Sequence, residues 1–101
     1  MTDLQKKILV LVSQVPLGKI TTYQDIAIKL GNHKLARVVG NTLHKNPHLI
    51  TIPCHRVVRL DHQVGNYRQG LAKKVNLLQN EGIKIEGEKI ANFASYLYDF
   101  N

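Results

Sequence analysis

The sequence predicts a mainly α-helical domain organised around a helix-turn-helix, with one small β-hairpin. Three observations carry that expectation. Apolar residues recur at helical spacing in five stretches, two of those stretches meet across a tight Gly31-Asn32 turn, and one short region, 56–68, can fold back on itself as paired strands. With 101 residues the chain has room for a single modest core.

Leu4, Ile8, Leu11, Val12 and Val15 line one face of a first helix over 2–15, with Thr2 and Gln5 spaced as a capping box and Pro16 and Gly18 ending it. A second, short helix is capped by Thr21 or Thr22, with Gln24 or Asp25 at the matching third position. Tyr23, Ile26, Ala27 and Leu30 form its face, and Gly31 closes it. Asn32 caps a third helix, striped by Leu35, Val38, Val39 and Leu43 and stopped at Asn46-Pro47. Residues 48–52 form an irregular approach to Pro53, which fixes its own backbone and pushes Ile52 into an extended conformation. Residues 56–60 and 63–68 then pair as the hairpin, across Asp61-His62. Leu71, Val75, Leu78 and Leu77 line a fourth helix ending at Glu81-Gly82, with Gly82 as its C-terminal cap. Ile90, Phe93, Ala94 and Leu97 mark one more amphipathic segment.

Fourteen Lys and Arg against seven Asp and Glu give a formal charge of +7. Such a surplus on a small domain points to a polyanion, nucleic acid ahead of a membrane surface, with a merely soluble basic protein as the plain alternative. The longest apolar run, residues 8–12, is far short of the roughly 20 residues that span a bilayer. No signal-peptide pattern opens the chain, so an intracellular, soluble setting is expected, cytoplasmic or, in a eukaryote, nuclear.

Cys54 is the only cysteine. A single sulfur forms no intramolecular disulfide and no thiolate-only zinc site, so it is either core filler or a nucleophile. A free thiol, with a pKa of about 8.5, needs a neighbour to lower that value or take the proton. His55 is adjacent, but in an extended segment consecutive side chains face opposite ways, so a water relay is expected in place of direct contact. Glu81, Asp61 and Glu86 are all candidates to orient the imidazole.

Ile52-Pro53-Cys54-His55-Arg56-Val57-Val58 resembles the active-site segment of the O6-alkylguanine-DNA alkyltransferases. Further stretches resemble that family in the expected order: Gly18-Lys19-Ile20-Thr21-Thr22-Tyr23, Leu30-Gly31-Asn32, Ala36-Arg37-Val38-Val39-Gly40-Asn41, Asn46-Pro47, Val64-Gly65-Asn66-Tyr67 and Gly70-Leu71-Ala72-Lys73-Lys74, through Leu77-Leu78 to Glu81-Gly82. The likeness covers roughly 4–85.

The resemblance implies a winged-helix-like alkyltransferase catalytic and DNA-binding domain over 1–87, with 88–101 as an extension packing on the same domain. It implies single-turnover transfer of an alkyl group from O6 of guanine, or O4 of thymine, in double-stranded DNA to Cys54, after base flipping in the minor groove. His55 would take the thiol proton through a water, Glu81 would orient His55, and Tyr23 would help rotate the nucleotide and protonate the departing guanine. Arg37 would fill the gap left by the base, with Ala36 and Gly40 small for close approach and Thr22, Gln24 and Asn41 as further DNA contacts. Asn46 would brace the turn, Pro53 and Arg56 would support the active segment, and Val64, Gly65, Asn66, Tyr67 and Arg68 would wall the base pocket.

Many members carry an N-terminal domain, some with structural zinc. This chain opens at the first catalytic helix, so no metal and no cofactor are expected, and a monomer is. The apolar face of the C-terminal segment is expected to cover surface that the other domain would bury. Arg68, where many relatives have a small residue, is expected to restrict the pocket to small adducts. Two other readings stand beside this one: a binding protein that flags alkylguanine without transfer, and a helix-turn-helix regulator with an incidental cysteine.

Overall fold

Two small cores, joined through the cysteine segment, organise the protein. The structure is a computed structural model that describes residues 2–46 and 51–100. Pro47 and most of the expected approach to the cysteine lie outside the described residues.

Helix α1, Asp3–Ser13, starts at the capping box expected from Thr2 and Gln5: each side chain accepts the other's backbone N–H, at 3.1 and 2.9 Å. It buries Ile8, Leu9 and Val12. Strand β1, Thr21–Thr22, leads directly into α2, Tyr23–Lys29, and the Thr22 hydroxyl caps that helix by accepting the Asp25 N–H at 2.9 Å. Gly31, at φ +94°, turns the chain. Asn32 then caps a 3₁₀ turn, His33–Leu35, so the third helix is α-helical only from Ala36: α3 is Ala36–His44. Ile26, Ala27, Val39 and Leu43 from α2 and α3 pack with the buried face of α1 into the first core, which also contains Cys54 and Val57.

The expected hairpin across Asp61-His62 is not formed. Strand β2, Val57–Val58, pairs instead in parallel with β1, as Thr21↔Val57 and Thr22↔Val58. The Asp61 carboxylate accepts the Arg59 guanidinium and the Gln63 N–H, and His62 sits at φ +75°, so 59–63 is a tight polar turn with one strand-like bond, Arg59 N–H to the Gln63 carbonyl. The hairpin lies later, where β3, Ile85–Glu86, runs antiparallel to β4, Lys89–Ile90, around Gly87. Ile90 is therefore a strand residue, and the C-terminal helix α5 is a single turn, Phe93–Tyr96.

Helix α4, Leu71–Asn80, ends in the cap that Gly82 predicts. The Gly82 N–H reaches the Gln79 carbonyl and the Ile83 N–H reaches the Leu78 carbonyl, both at 3.0 Å, with Ile83 and Leu78 sharing the second core. That core also holds Ile20, Val58, Val64, Ile90 and Phe93. Leu97 bridges to Ile20, which donates to the Tyr96 carbonyl and accepts from the Tyr98 N–H. Gly82 stands at φ +89° with open space where a Cβ would go, so Gly82→Ala carries pure backbone strain. It is expected to lower stability by about 1 kcal/mol in urea unfolding.

Candidate active site

Cys54 is held by short-range backbone geometry. Pro53 opens a 3₁₀ turn over Cys54–Arg56, in which the Cys54 N–H reaches the Ile52 carbonyl at 2.8 Å and the Arg56 N–H reaches the Pro53 carbonyl at 2.9 Å. The segment is thus wound, not extended as expected, because the proline and these two tight bonds curl it. Even so, His55 turns toward Glu81, with Nε2 3.0 Å from Oε2. Its Nδ1 is buried and has no hydrogen-bond partner among the described residues. The buried Asn46 donates to the Ile52 carbonyl at 3.2 Å, tying the end of α3 to the cysteine turn, and its side chain works to lower the Cys54 pKa.

Glu81, at the C-terminal cap of α4, is gripped from two sides. Arg56 donates to both of its oxygens, at 2.9 and 2.7 Å, and spends a third N–H on the Val15 carbonyl at 2.8 Å. One guanidinium therefore joins the exit of α1, the cysteine segment and the end of α4. Burial works to raise the Glu81 carboxyl, yet the Arg56 and His55 hydrogen bonds and charges hold it below its ordinary range. Burial lowers the His55 pKa, against the pull of the Glu81 contact. The imidazole is neutral at pH 7. With its Nε2–H donated to ionised Glu81, the Nδ1 lone pair is left to accept a proton. Burial raises the Cys54 thiol, opposed by Asn46 and by the charges of Lys74 and Arg68.

The cysteine opens onto a cavity of about 920 Å³. Helix α3 supplies one wall, which includes Ala36, Arg37, Gly40 and Asn41; Tyr23 from α2 and Asn66, Tyr67 and Arg68 from the loop before α4 supply much of the other. Burial pushes the Tyr23 phenol up to about 12, a shift that the nearby Cys54 reinforces, so it is a proton donor at neutral pH. Behind the cavity stand His55, Glu81 and Arg56. Pro53 is buried in support, and Gly65 faces the Arg59 stem, where an added Cβ would come within 3.1 Å of Cγ.

Three expected positions fall elsewhere. Thr22 is fully buried and its hydroxyl is committed to capping α2, which leaves its side chain no DNA-facing surface; Gln24 is half-buried and lines no part of the cavity. Val64 is fully buried in the second core and supports the pocket wall from behind.

Two residues escaped the sequence reading. Arg59 lines the cavity. Lys74 is wholly buried beside it, its ammonium donating to the Val57 carbonyl at 2.7 Å, the Asn66 carbonyl at 3.0 Å and the Tyr23 hydroxyl at 3.4 Å. Burial draws its pKa down to about 7, countered by Cys54. A signal for Lys74 was available: it lies three residues after Leu71 and four before Leu78, on the apolar stripe of α4, where a lysine needs a buried partner. Among the described residues no group of three or more His, Cys, Asp or Glu side chains could hold a metal ion, and no helix is long and apolar enough to cross a membrane.

A family model described as 6-O-methylguanine DNA methyltransferase, DNA binding domain, matches residues 3–83. A methylated-DNA–protein-cysteine methyltransferase of Methanothermobacter thermautotrophicus is 38% identical over 87 residues, covering 86% of this chain and 48% of that protein. The human protein of the same name is 47% identical over 75 residues, covering 74% and 36%. The chain thus spans less than half the length of these two relatives. Among solved structures, Mycobacterium tuberculosis OGT in complex with DNA superposes with a TM-score of 0.78 at 33% identity, covering 81% of this chain and 50% of that one. S. pombe Atl1, in complex with damaged DNA containing O6-carboxymethylguanine, superposes with a TM-score of 0.84 at 29% identity, covering 98% and 97%. With a family match running from α1 to the cap of α4, and with Cys54 of the Pro-Cys-His-Arg turn lining its cavity, the chain belongs to the 6-O-methylguanine DNA methyltransferase family.

Proposed function

We propose that this protein repairs O6-alkylated guanine in DNA by moving the alkyl group onto Cys54, once per molecule. The observation that carries this reading is a single thiol lining a cavity large enough for a base, backed by the His55–Glu81–Arg56 network. O6 of a stacked guanine is out of reach of a buried sulfur, so the nucleotide must rotate out of the duplex. The net charge of +7 suits the phosphates, and Arg37, exposed at the start of α3 between the small residues Ala36 and Gly40, suits the gap left in the stack.

In the reaction, His55 Nδ1 accepts the thiol proton through an intervening water, and Glu81 stabilises the imidazolium. The sulfur forms a bond to the alkyl carbon while the carbon–O6 bond breaks, its electron pair passing to the guanine, which takes a proton from Tyr23. Lys74, within reach of the Tyr23 oxygen, then returns a proton or balances the charge. The thioether has no leaving group, so Cys54 is spent.

A second reading, recognition without transfer, is favoured by one observation: Atl1 matches this chain along nearly the whole length of both. Incubation with a duplex carrying one O6-methylguanine, followed by intact-mass measurement, separates the two. A gain of one methylene equivalent, absent in Cys54→Ala, supports transfer; binding with no gain supports recognition; neither removes both. Because the His55 pKa is lowered from 6.5, the single-turnover rate on saturating duplex is expected to fall toward acid with a midpoint below pH 6.5, as His55 protonates. A midpoint above pH 6.5 would argue against His55 as the base.

A further inference from the structure

We propose that the cavity selects O6 adducts bearing a negative charge, of which carboxymethyl is the smallest, through Arg68 with Arg59 in support. This rests on the transfer reading and names the substrate class within it.

Arg37, Arg59 and Arg68 all line the cavity, and among the described residues none lining it is a carboxylate. Arg37 belongs to the exposed start of α3 and is accounted for by the duplex. The other two guanidinium groups are not. Arg68 is pinned by donating to the Asn46 carbonyl at 2.7 Å, and the side chain of the same Asn46 holds the Ile52 carbonyl at 3.2 Å, so the guanidinium and the cysteine turn are registered on one residue. Arg59 is fixed at the turn by two bonds to Asp61, at 3.2 and 2.8 Å, and its stem lies against Gly65. Asp61 lies outside the cavity lining, so it orients Arg59 and offsets part of its charge, which leaves Arg59 the supporting group and Arg68 the main one.

For in-line displacement the reacting carbon must meet the sulfur. Any substituent on that carbon therefore lies within a bond or two of Cys54, where the charge of Arg68 is already felt. A carboxylate there would meet a held, planar donor fork, a geometry suited to bidentate pairing. A neutral amide of the same size would offer the guanidinium one carbonyl acceptor and no charge in return for the water it displaces, so both attraction and penalty favour the anion. In the reaction the sulfur bonds to the methylene, the carbon–O6 bond breaks toward the guanine, and Cys54 becomes S-carboxymethylcysteine. No further reagent is required.

The rival explanation is that both arginines hold phosphates of the extruded nucleotide, which would leave them indifferent to the adduct. Two duplexes of one sequence separate the two, one carrying O6-carboxymethylguanine and the other its neutral amide, O6-carbamoylmethylguanine. Single-turnover rates are read by intact mass. The ratio of the two rates is expected to fall about tenfold in Arg68→Gln, by less in Arg59→Gln, and to be partly restored in Arg68→Lys. Phosphate contacts are common to both duplexes and drop out of the ratio. A ratio that moves less than twofold in both Arg68→Gln and Arg59→Gln overturns the proposal. Wild-type protein on an O6-methylguanine duplex is the control for the underlying reading. If that transfer is absent the transfer reading fails, and the same ratio taken as Kd for the two duplexes decides the selectivity.

Discussion

Glu81→Ala is expected to cost about 3 kcal/mol of stability and to slow transfer by about a hundredfold. The stability loss follows from what is left behind. Arg56, 14% exposed, would keep its bond to the Val15 carbonyl but lose both carboxylate oxygens, and His55, 1% exposed, would lose the only protein partner of its Nε2 among the described residues. An uncompensated, mostly buried charge costs more than the intact pair contributes. The rate loss has a separate origin: without Glu81 the imidazole has no fixed tautomer and its cation no counter-charge. Glu81→Gln keeps the shape, so it is expected to recover part of the stability and little of the rate. The pH dependence sets the sign. Glu81 has a folded pKa below its ordinary 4.5, so its contribution is present above that value and is lost as pH falls through the folded one. The stability gap between wild type and Glu81→Gln therefore narrows as pH drops below 4.5. Chemical denaturation across pH, with single-turnover kinetics at pH 7.5, reads both effects. A Gln variant as fast as wild type would remove Glu81 from the mechanism.

Lys74→Met is expected to lower stability by about 2 kcal/mol, and Lys74→Ala by about 4 kcal/mol. Methionine fills most of the space but leaves the Val57 and Asn66 carbonyls without their donor; alanine adds a cavity beside them. Those carbonyls belong to the strand after Cys54 and the loop that walls the pocket, so either variant is also expected to slow transfer, the Tyr23 oxygen losing its neighbour. Here the linkage runs the other way from Glu81. Lys74 has a folded pKa of about 7 against 10.5 unfolded, so between those values the unfolded chain binds more protons and stability rises with pH. Below pH 7 the ammonium is charged in both states and its burial cost is present in full. Wild type is therefore expected to gain on Lys74→Met as pH goes from 7 to 9.5, in paired urea titrations. A gap that stays constant would mean that the lysine is charged in the fold throughout that range.

Legibility in the sequence followed the range of the interaction. The Thr2–Gln5 box, the Thr22 and Asn32 caps and the Gly82 turn are contacts within five residues, and each forms as the local pattern predicts. The same holds for the order of motifs that pointed to the family. Where the local pattern misled, a distant partner had prevailed. Val57–Val58 was free to fold back on 63–68, but Thr21–Thr22 took its edge, and the hairpin moved to Gly87, where a glycine at φ +65° permits the tight turn.

What the sequence by itself determined is the set of helices, their caps and the family, because periodicity, capping and a seven-residue motif are properties of adjacent residues. Only the tertiary structure decided that His55 faces Glu81 across 26 positions, that Arg56 locks that pair to the end of α1, and that Lys74 sits uncovered by water beneath Tyr23. The reason is electrostatic. A charge on an amphipathic helix defaults to solvent, and it is burial against particular carbonyls and carboxylates, set by how the two cores close on the cysteine turn, that makes it part of a site.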